Sequence, residues 1–418
     1  MNPRSPHGEL ALKASPLVRS GTPAYSINLH FLNIGIKIYS TKGIRQKGMI
    51  GMRDFKAEEY FSLLKKYSDA KGPSGYEDEV RELVIEDLRD VSDKLWIDSM
   101  GNVIAMKRGE TDRKLMVAAH MDEIGLIVKH IDDNGFLRFS PIGGWNERIL
   151  PGSRVRIRSK EGKWFRGVIG VKPPHLITPE EEKKVIEMNK LFIDVGASSK
   201  EEVLSRGIEK GSVIVLDQEL EALSDYRVTG KALDDRAGLV VALKSFIETE
   251  PKDVTLYLVA TVQEEVGLKG ARTSAFQISP HLAIALDTTT ANDVPDVEEH
   301  EAVAKLGKGP AIKVVDGRSG SGLLTHPKVL EKLISVAKER NIPYQAEVLT
   351  GGTTDSSAIQ LTKEGVPAGT ISIPTRYIHS QVELLDLRDL HNSVELLKGF
   401  YESLTADWID GVREKIIK

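Results

Sequence analysis

Five short motifs carry side chains that could hold cations or move protons: His120-Met121-Asp122, Asp234-Asp235, Gln263-Glu264-Glu265, Asp287 and His379. The chain has no cysteine. Thiol nucleophiles, disulfides, cysteine zinc sites and iron–sulfur clusters are therefore excluded, and a metal would have to sit on His, Asp and Glu. In His120-x-Asp122 the imidazole can bind a metal through one nitrogen while the carboxylate fixes the other, which sets the tautomer and raises ligand basicity. Asp234-Asp235 stands directly before a helical run, where two acids could simply be capping residues. With a His and further acids converging, a carboxylate that bridges two cations is the better account, because close acids repel unless cations neutralise them. Neighbouring side chains at a strand end point in different directions, so one member of Glu264-Glu265 can bind metal while the other reaches a metal-activated water. That division supplies the Lewis acid and the general base that hydrolysis needs. The set His120, Asp234, Glu265, Asp287 and His379 offers five oxygen or nitrogen ligands, and a bridging Asp234 turns them into two three-ligand sites, each open to water or substrate.

The elements that must position these residues repeat one arrangement. The apolar run Leu115 to Ala119 ends in His120, Val254 to Val262 ends in Gln263-Glu264-Glu265, and His281 to Leu286 ends in Asp287. Arg376-Tyr377-Ile378-His379 follows the run Ala368 to Pro374. In open α/β sheets active sites form outside the carboxyl ends of the strands. A single acid at such a point is usually a solvated turn residue; its recurrence at the same topological position carries the information. Helical spacing is predicted over Phe55 to Tyr67, from a start near Ser74 to about Val91, over Gly238 to Thr249, Gly270 to Phe276 and His326 to Glu339, and from Leu387 onward. The alternation predicts an α/β fold with a mainly parallel central sheet flanked by helices. Between Ile124 and about Leu220 the pattern changes to short alternating runs separated by Asn134-Gly135, Gly143-Gly144, Pro151-Gly152 and Glu161-Gly162. This is hairpin punctuation, and it predicts an inserted small β-barrel-like domain over 124–220 between the halves 49–123 and 221–418 of the α/β domain.

Composition is that of an ordinary globular protein, which excludes fibrous, collagen-like and globally disordered classes. The chain has 418 residues, 40% hydrophobic and 28% charged, enough for two domains and a large core. Residues 1–48 hold seven Lys or Arg against one acid, Glu9, which leaves 50 basic and 60 acidic side chains in the remainder. An acidic body argues against nucleic acid as a partner. The tail has no helical or alternating period and no uninterrupted apolar core, so it does not read as a secretory signal. We expect it to be disordered or a non-native start, with translation beginning at Met49 or Met52. No apolar run reaches the roughly 18 residues of a membrane span. The run Glu180 to Lys184 reads as a solvated helix face. His130, His175, His281, His300, His326 and His391 lack a partnered motif and are read as structural or surface residues.

The motifs Ala119-His120-Met121-Asp122-Glu123-Ile124-Gly125, Ala232 to Gly238, Gln263 to Ala271, Asp287 and Arg376 to Ser380 together resemble the tetrahedral aminopeptidases. These are dinuclear-metal exopeptidases, and the group includes glutamyl and deblocking aminopeptidases and some members labelled endoglucanases. The resemblance runs from about Asp54 to the C-terminus. It implies one divalent ion on His120, Asp234 and Asp287 and a second on Asp234, Glu265 and His379, with zinc or cobalt as the expected metals. It further implies Glu264 as the general base, Asp122 as the partner of His120, and a cis peptide between Asp234 and Asp235. Gly351 to Asp355 looks like the family's Gly-rich loop beside the substrate, which makes Gly352 and Asp355 candidate substrate contacts. The implied activity is removal of N-terminal residues from short peptides in the cytoplasm. The inserted β domain would build dimers that assemble into a dodecamer. The rivals are a deacylase or deblocking enzyme on the same site, a metal-stabilised scaffold, and a glycosidase. The last needs paired carboxylates without a metal, and ligand-type His residues among the acids argue against it.

Overall fold

The structure, a computed structural model, describes residues 55–176, 178–179 and 183–413. The tail 1–48 and residues Glu180, Glu181 and Glu182 of the charged run lie outside the described residues. Two helices, α1 (Ala57–Ser68) and α2 (Asp78–Leu88), precede the first motif. α2 carries Asp78 and Glu79 in its first turn, where unpaired backbone N–H groups favour acids. Ser74, read as the start of this helix, gives its hydroxyl to Asp122 instead. The hairpin β1 (Lys94–Ile97) and β2 (Val103–Lys107) follows, and then β3 (Lys114–His120).

The chain next leaves the sheet and closes an antiparallel six-stranded barrel. Its strands are β4 (Gly125–Ile131), β5 (Leu137–Ile142), β6 (Arg154–Arg158), β7 (Trp164–Gly170), β8 (Phe192–Asp194) and β9 (Val213–Leu216), with the short helix α3 (Lys200–Ser205) between the last two. β6 shows why these residues form a barrel wall: Val155 and Ile157 are buried while Arg154, Arg156 and Arg158 point away from the core, the period-2 alternation of a strand with one solvated face. Leu126, Val128, Leu137, Ile193 and Ile214 complete a core separate from that of the α/β domain. At the tip of β4–β5, Gly135 takes φ 86°, a left-handed value that glycine adopts freely in a tight turn.

Returning to the sheet, the chain forms β10 (Glu221–Ala222), β11 (Arg227–Gly230), α4 (Leu233–Ile247), β12 (Thr255–Thr261), α5 (Lys269–Ile278), β13 (Leu282–Thr290), β14 (Ala311–Val315) and α6 (Pro327–Glu339). It ends with β15 (Gln345–Val348), α7 (Asp355–Ile359), β16 (Ala368–Arg376), β17 (Glu383–Asp386), α8 (Leu387–Ser403) and α9 (Ala406–Arg413). The strand order is β1-β2-β12-β3-β13-β16-β17-β11-β10, with β14 beside β16 and β15 beside β14. The four central strands β12, β3, β13 and β16 are parallel and buried along almost their whole length, as strands covered on both faces must be. β1, β2, β17, β11 and β10 extend this parallel centre with antiparallel pairs on both sides, so the sheet as a whole is mixed. α4 is buried on nearly every side and packs on β3, β13 and α8.

Register brings the motifs to one edge. His120 pairs with Thr261, two residues before Gln263. Ala118 pairs with Ala285, each two residues short of the motif residues His120 and Asp287. Parallel pairing thus delivers three of the five motifs to the same end of the sheet, as their positions after apolar runs predict.

Candidate active site

His120 closes β3 and is almost fully buried. Its Nδ1 lies 2.9 Å from the main-chain carbonyl of Asp122 and 3.6 Å from that residue's Oδ1. The carbonyl, rather than the expected carboxylate, thus takes the ring's proton and turns Nε2 toward the cluster. Nε2 stands 3.4 Å from Asp234 Oδ1 and 3.9 Å from both Asp287 Oδ1 and Glu264 Oε2. The other oxygen of Asp234 lies 3.3 Å from His379 Nε2, which is 3.1 Å from Glu265 Oε1. Asp234 therefore faces one imidazole with each of its oxygens, the disposition of a bridge. The peptide joining it to Asp235 is cis.

The Asp122 carboxylate, 3.6 Å from the ring, has closer partners elsewhere. It is fully buried, and it accepts from Ser74 Oγ at 2.6 Å, from the Glu264 N–H at 2.9 Å and from the Glu265 N–H at 3.2 Å. Glu77 Oε1 accepts the preceding amide, that of Gln263, at 3.2 Å. Three successive N–H groups of the Gln263-Glu264-Glu265 turn are thus held by two buried acids. Gln263 and Leu268 flank this turn with φ 54° and 55°, and Tyr377 and His379 have 58° and 63°. Such left-handed values are uncommon in non-glycine residues, and they gather where the surrounding structure fixes functional side chains.

Two residues that sequence reasoning missed stand close to this cluster. Glu383, at the start of β17, accepts the N–H of His379 at 2.7 Å and the N–H of Asp234 at 3.0 Å, so one side chain positions both ends of the cluster. Lys313, from β14, lines the cavity and lies 2.7 Å from Glu347. That cavity has a volume of about 600 Å³, and His120, Asp234, Glu264, Glu265, Asp287 and His379 all border it. Gly352 lines it too. Asp355 does not border it: its carboxylate is buried behind the site and accepts from Thr261 Oγ1 at 2.6 Å, which removes it from substrate contact and makes it a support for the end of β12. Of the other histidines, His391 pairs with Tyr60 and His281 accepts the Lys114 N–H, both structural contacts.

The electrostatics show what the cluster requires. Burial disfavours charge on Asp235, Glu264, Glu265 and Asp287 and holds all four above the ordinary carboxylate range, with neighbouring acids adding repulsion. Asp234 goes the other way: against its burial, the two imidazoles hold it well below that range. Burial also opposes charge on the imidazoles, but Asp234 and the other acids outweigh it, raising His120 well above its usual value and His379 to about 11. Asp235 Oδ2 is buried without a hydrogen-bond partner, and Asp234 Oδ1 and Glu265 Oε1 are buried with only an imidazole nitrogen near them, at 3.4 and 3.1 Å. Ligand atoms of His120, Asp234 and Glu265 lie within 4.8 Å of one another, as do those of His120, Asp235 and Asp287. Crowded carboxylates with orphaned oxygens, hard donors beside imidazole nitrogens, fit divalent cations.

Comparison with known proteins agrees with this geometry. Residues 101–396 match the M42 glutamyl aminopeptidase family. The lysyl aminopeptidase of Pyrococcus furiosus is 40% identical over 347 residues, which are 82% of this chain and 97% of that protein. The solved aminopeptidase of the archaeon Desulfurococcus kamchatkensis is 54% identical, with a TM-score of 0.84 over 87% of this chain and 99% of its own. The Pyrococcus horikoshii TET1 peptidase, described as assembling into a tetrahedron or a large octahedral shell, is 36% identical with a TM-score of 0.73 over 82% of this chain and all of its own. With a family match that spans most of the chain and relatives covered nearly end to end, the chain belongs to the M42 aminopeptidase family and is a peptidase of that class.

Proposed function

We propose that the chain removes N-terminal residues from short peptides with two divalent ions, zinc or cobalt as the expected metals. His120, Asp234 and Asp287 would hold one, and Asp234, Glu265 and His379 the other. The observation that carries this reading is Asp234, whose two oxygens each face a different imidazole across 3.3–3.4 Å. Ions so held would polarise the scissile carbonyl and lower the pKa of a water. Glu264 shares the cavity without sharing Asp234's bridging position, and it would accept the attacking water's proton and return it to the leaving amine. The acids around it would receive the free α-amino group, which makes the enzyme an exopeptidase. Family membership leaves residue preference open, since relatives are named for both glutamyl and lysyl substrates. By likeness to the TET1 peptidase, the barrel over β4–β9 would join two chains and the pairs would assemble into a dodecamer.

Glu264→Gln, a change of equal size, tests the mechanism. With two equivalents of metal bound per chain, turnover of aminoacyl substrates should fall about 10²- to 10⁴-fold, and full turnover would remove Glu264 from its role. Chelation should abolish activity and added zinc or cobalt restore it. Faster cleavage of N-acetylated than of free peptides would favour a deacylase instead.

A further inference from the structure

Lys313 is the one Lys or Arg among the described residues that line the cavity. It projects from β14, is 1% exposed, and places Nζ 2.7 Å from Glu347 Oε1. Strand register sets this pair, because β14 and β15 run parallel with Lys313 opposite Glu347. Thr289 Oγ1 donates to the same Glu347 oxygen at 2.6 Å, and Asp316 Oδ2 lies 3.8 Å from the ammonium. Glu347 is fully buried and does not border the cavity, whereas Lys313 and Thr289 do. The cation thus stands at the wall with its counter-ion behind it. Apart from the acids and imidazoles of the cluster, the other residues that line the cavity are uncharged, among them Thr288, Thr289, Thr290 and Leu349. Thr288 Oγ1 is buried without a hydrogen-bond partner.

Position relates this wall to the acidic end. Asp287 and Thr289 are two residues apart on β13, about 7 Å at strand rise, a span that one amino-acid side chain covers. A substrate whose α-amino group meets the acids would lay its first side chain along the threonines and Lys313. A buried ammonium with a bonded carboxylate presents little net charge, whereas without Glu347 it keeps only Asp316, at 3.8 Å and beyond hydrogen-bond distance, so its charge is less fully offset and attracts anions.

We propose that Glu347 determines specificity: by neutralising Lys313 in the cavity wall it makes the pocket select an uncharged N-terminal side chain, and without its charge the pocket selects an acidic one. This rests on the aminopeptidase reading of the site. The test compares kcat/KM for leucyl, glutamyl and lysyl fluorogenic amides on the metal-loaded full chain. Wild type should prefer the leucyl amide over both charged ones. In Glu347→Gln, of equal size, the glutamyl-to-leucyl ratio should rise at least tenfold. In Lys313→Met that ratio should stay at or below wild type, and in the double variant it should return to within threefold of wild type. Because each ratio is taken on one sample, a lowered folded fraction cancels from it. The double variant removes both members of the bonded pair at once and leaves only Asp316, 3.8 Å from the ammonium in the wild type, without its cation. A wild type that prefers the glutamyl amide, or a Glu347→Gln enzyme with its ratio within threefold of wild type, overturns the proposal. Absence of turnover on every amide by the wild type would instead bring down the aminopeptidase reading on which it rests.

Discussion

Asp122→Asn separates two accounts of how the site is aimed. In the first, the carboxylate acts through His120; in the second, it acts through the Glu264-Glu265 turn. The structure favours the second, since the main-chain carbonyl of Asp122 already orients the ring at 2.9 Å and survives the substitution. The carboxylate accepts the Glu264 N–H on Oδ1 and both the Glu265 N–H and Ser74 Oγ on Oδ2. Asparagine keeps one of these oxygens. In one rotamer its NH₂ meets the N–H of Glu264, and in the other it meets that of Glu265, donor against donor. Ser74 can rotate its hydroxyl to accept, but a backbone N–H cannot. One bond to a charged acceptor is therefore lost in either rotamer, a net ~1.5–3 kcal/mol. If that loss is felt in aiming Glu264 and Glu265 at the transition state, kcat falls about 10- to 150-fold with little change in KM. The assay is steady-state turnover of an aminoacyl amide, with bound metal measured on the same sample. A folded variant with kcat within twofold of wild type would refute the reasoning. Metal content that falls in step with activity would return the carboxylate to His120.

Two further outcomes follow from buried charges outside the catalytic cluster. Glu123 is buried, lies 2.9 and 3.0 Å from Lys231 Nζ and 3.5 Å from Arg236, and also accepts the Gly72 N–H. Glu123→Gln would leave two buried cations without their counter-ion and should cost ~3–5 kcal/mol in denaturant unfolding, so a variant as stable as wild type would refute the pairing. Asp389 is buried, accepts the N–H groups of Gly307 and Gly309, and is raised by its burial from 3.8 to about 7. Between those values the folded chain holds a proton that the unfolded chain has released, so this group's contribution to stability is fully present below pH 3.8 and is lost as pH rises to about 7. Relative to Asp389→Asn, wild type should lose unfolding free energy across that window; a gain would show the opposite sign of coupling.

What could be read from the chain, and what could not, divides by how each residue reaches the site. His120, Glu264, Glu265 and Asp287 sit at the ends of apolar runs, and parallel strands in register carry such ends to one edge, so local pattern and general topology suffice. The barrel was legible for a similar reason: alternation as in Arg154-Val155-Arg156-Ile157-Arg158 marks a strand with one wet face. The short strands were not. β10, β15 and β17 have two to four residues, too few for a period to show. Asp122 stands beside His120 as its spacing implies, but which of its groups meets the ring was not legible, because a residue two places after a histidine can offer either its carbonyl or its carboxylate, and only backbone geometry decides. Glu383 and Lys313 were missed for a further reason. Glu383 lies 149 residues from Asp234, and Glu347 lies 34 from Lys313. Their partners are set by strand register and sheet order, which a period-2 pattern does not contain. A signal was still present: each is an ionisable residue inside a short run that is otherwise apolar, Ala311 to Val315 and Val382 to Leu385. Burying such a group without a partner costs several kcal/mol. A charge within a core strand therefore implies a counter-ion or a set of donors from another part of the fold, and in this chain that reasoning leads from Lys313 to Glu347 at the cavity wall and from Glu383 to the amides that hold Asp234 and His379.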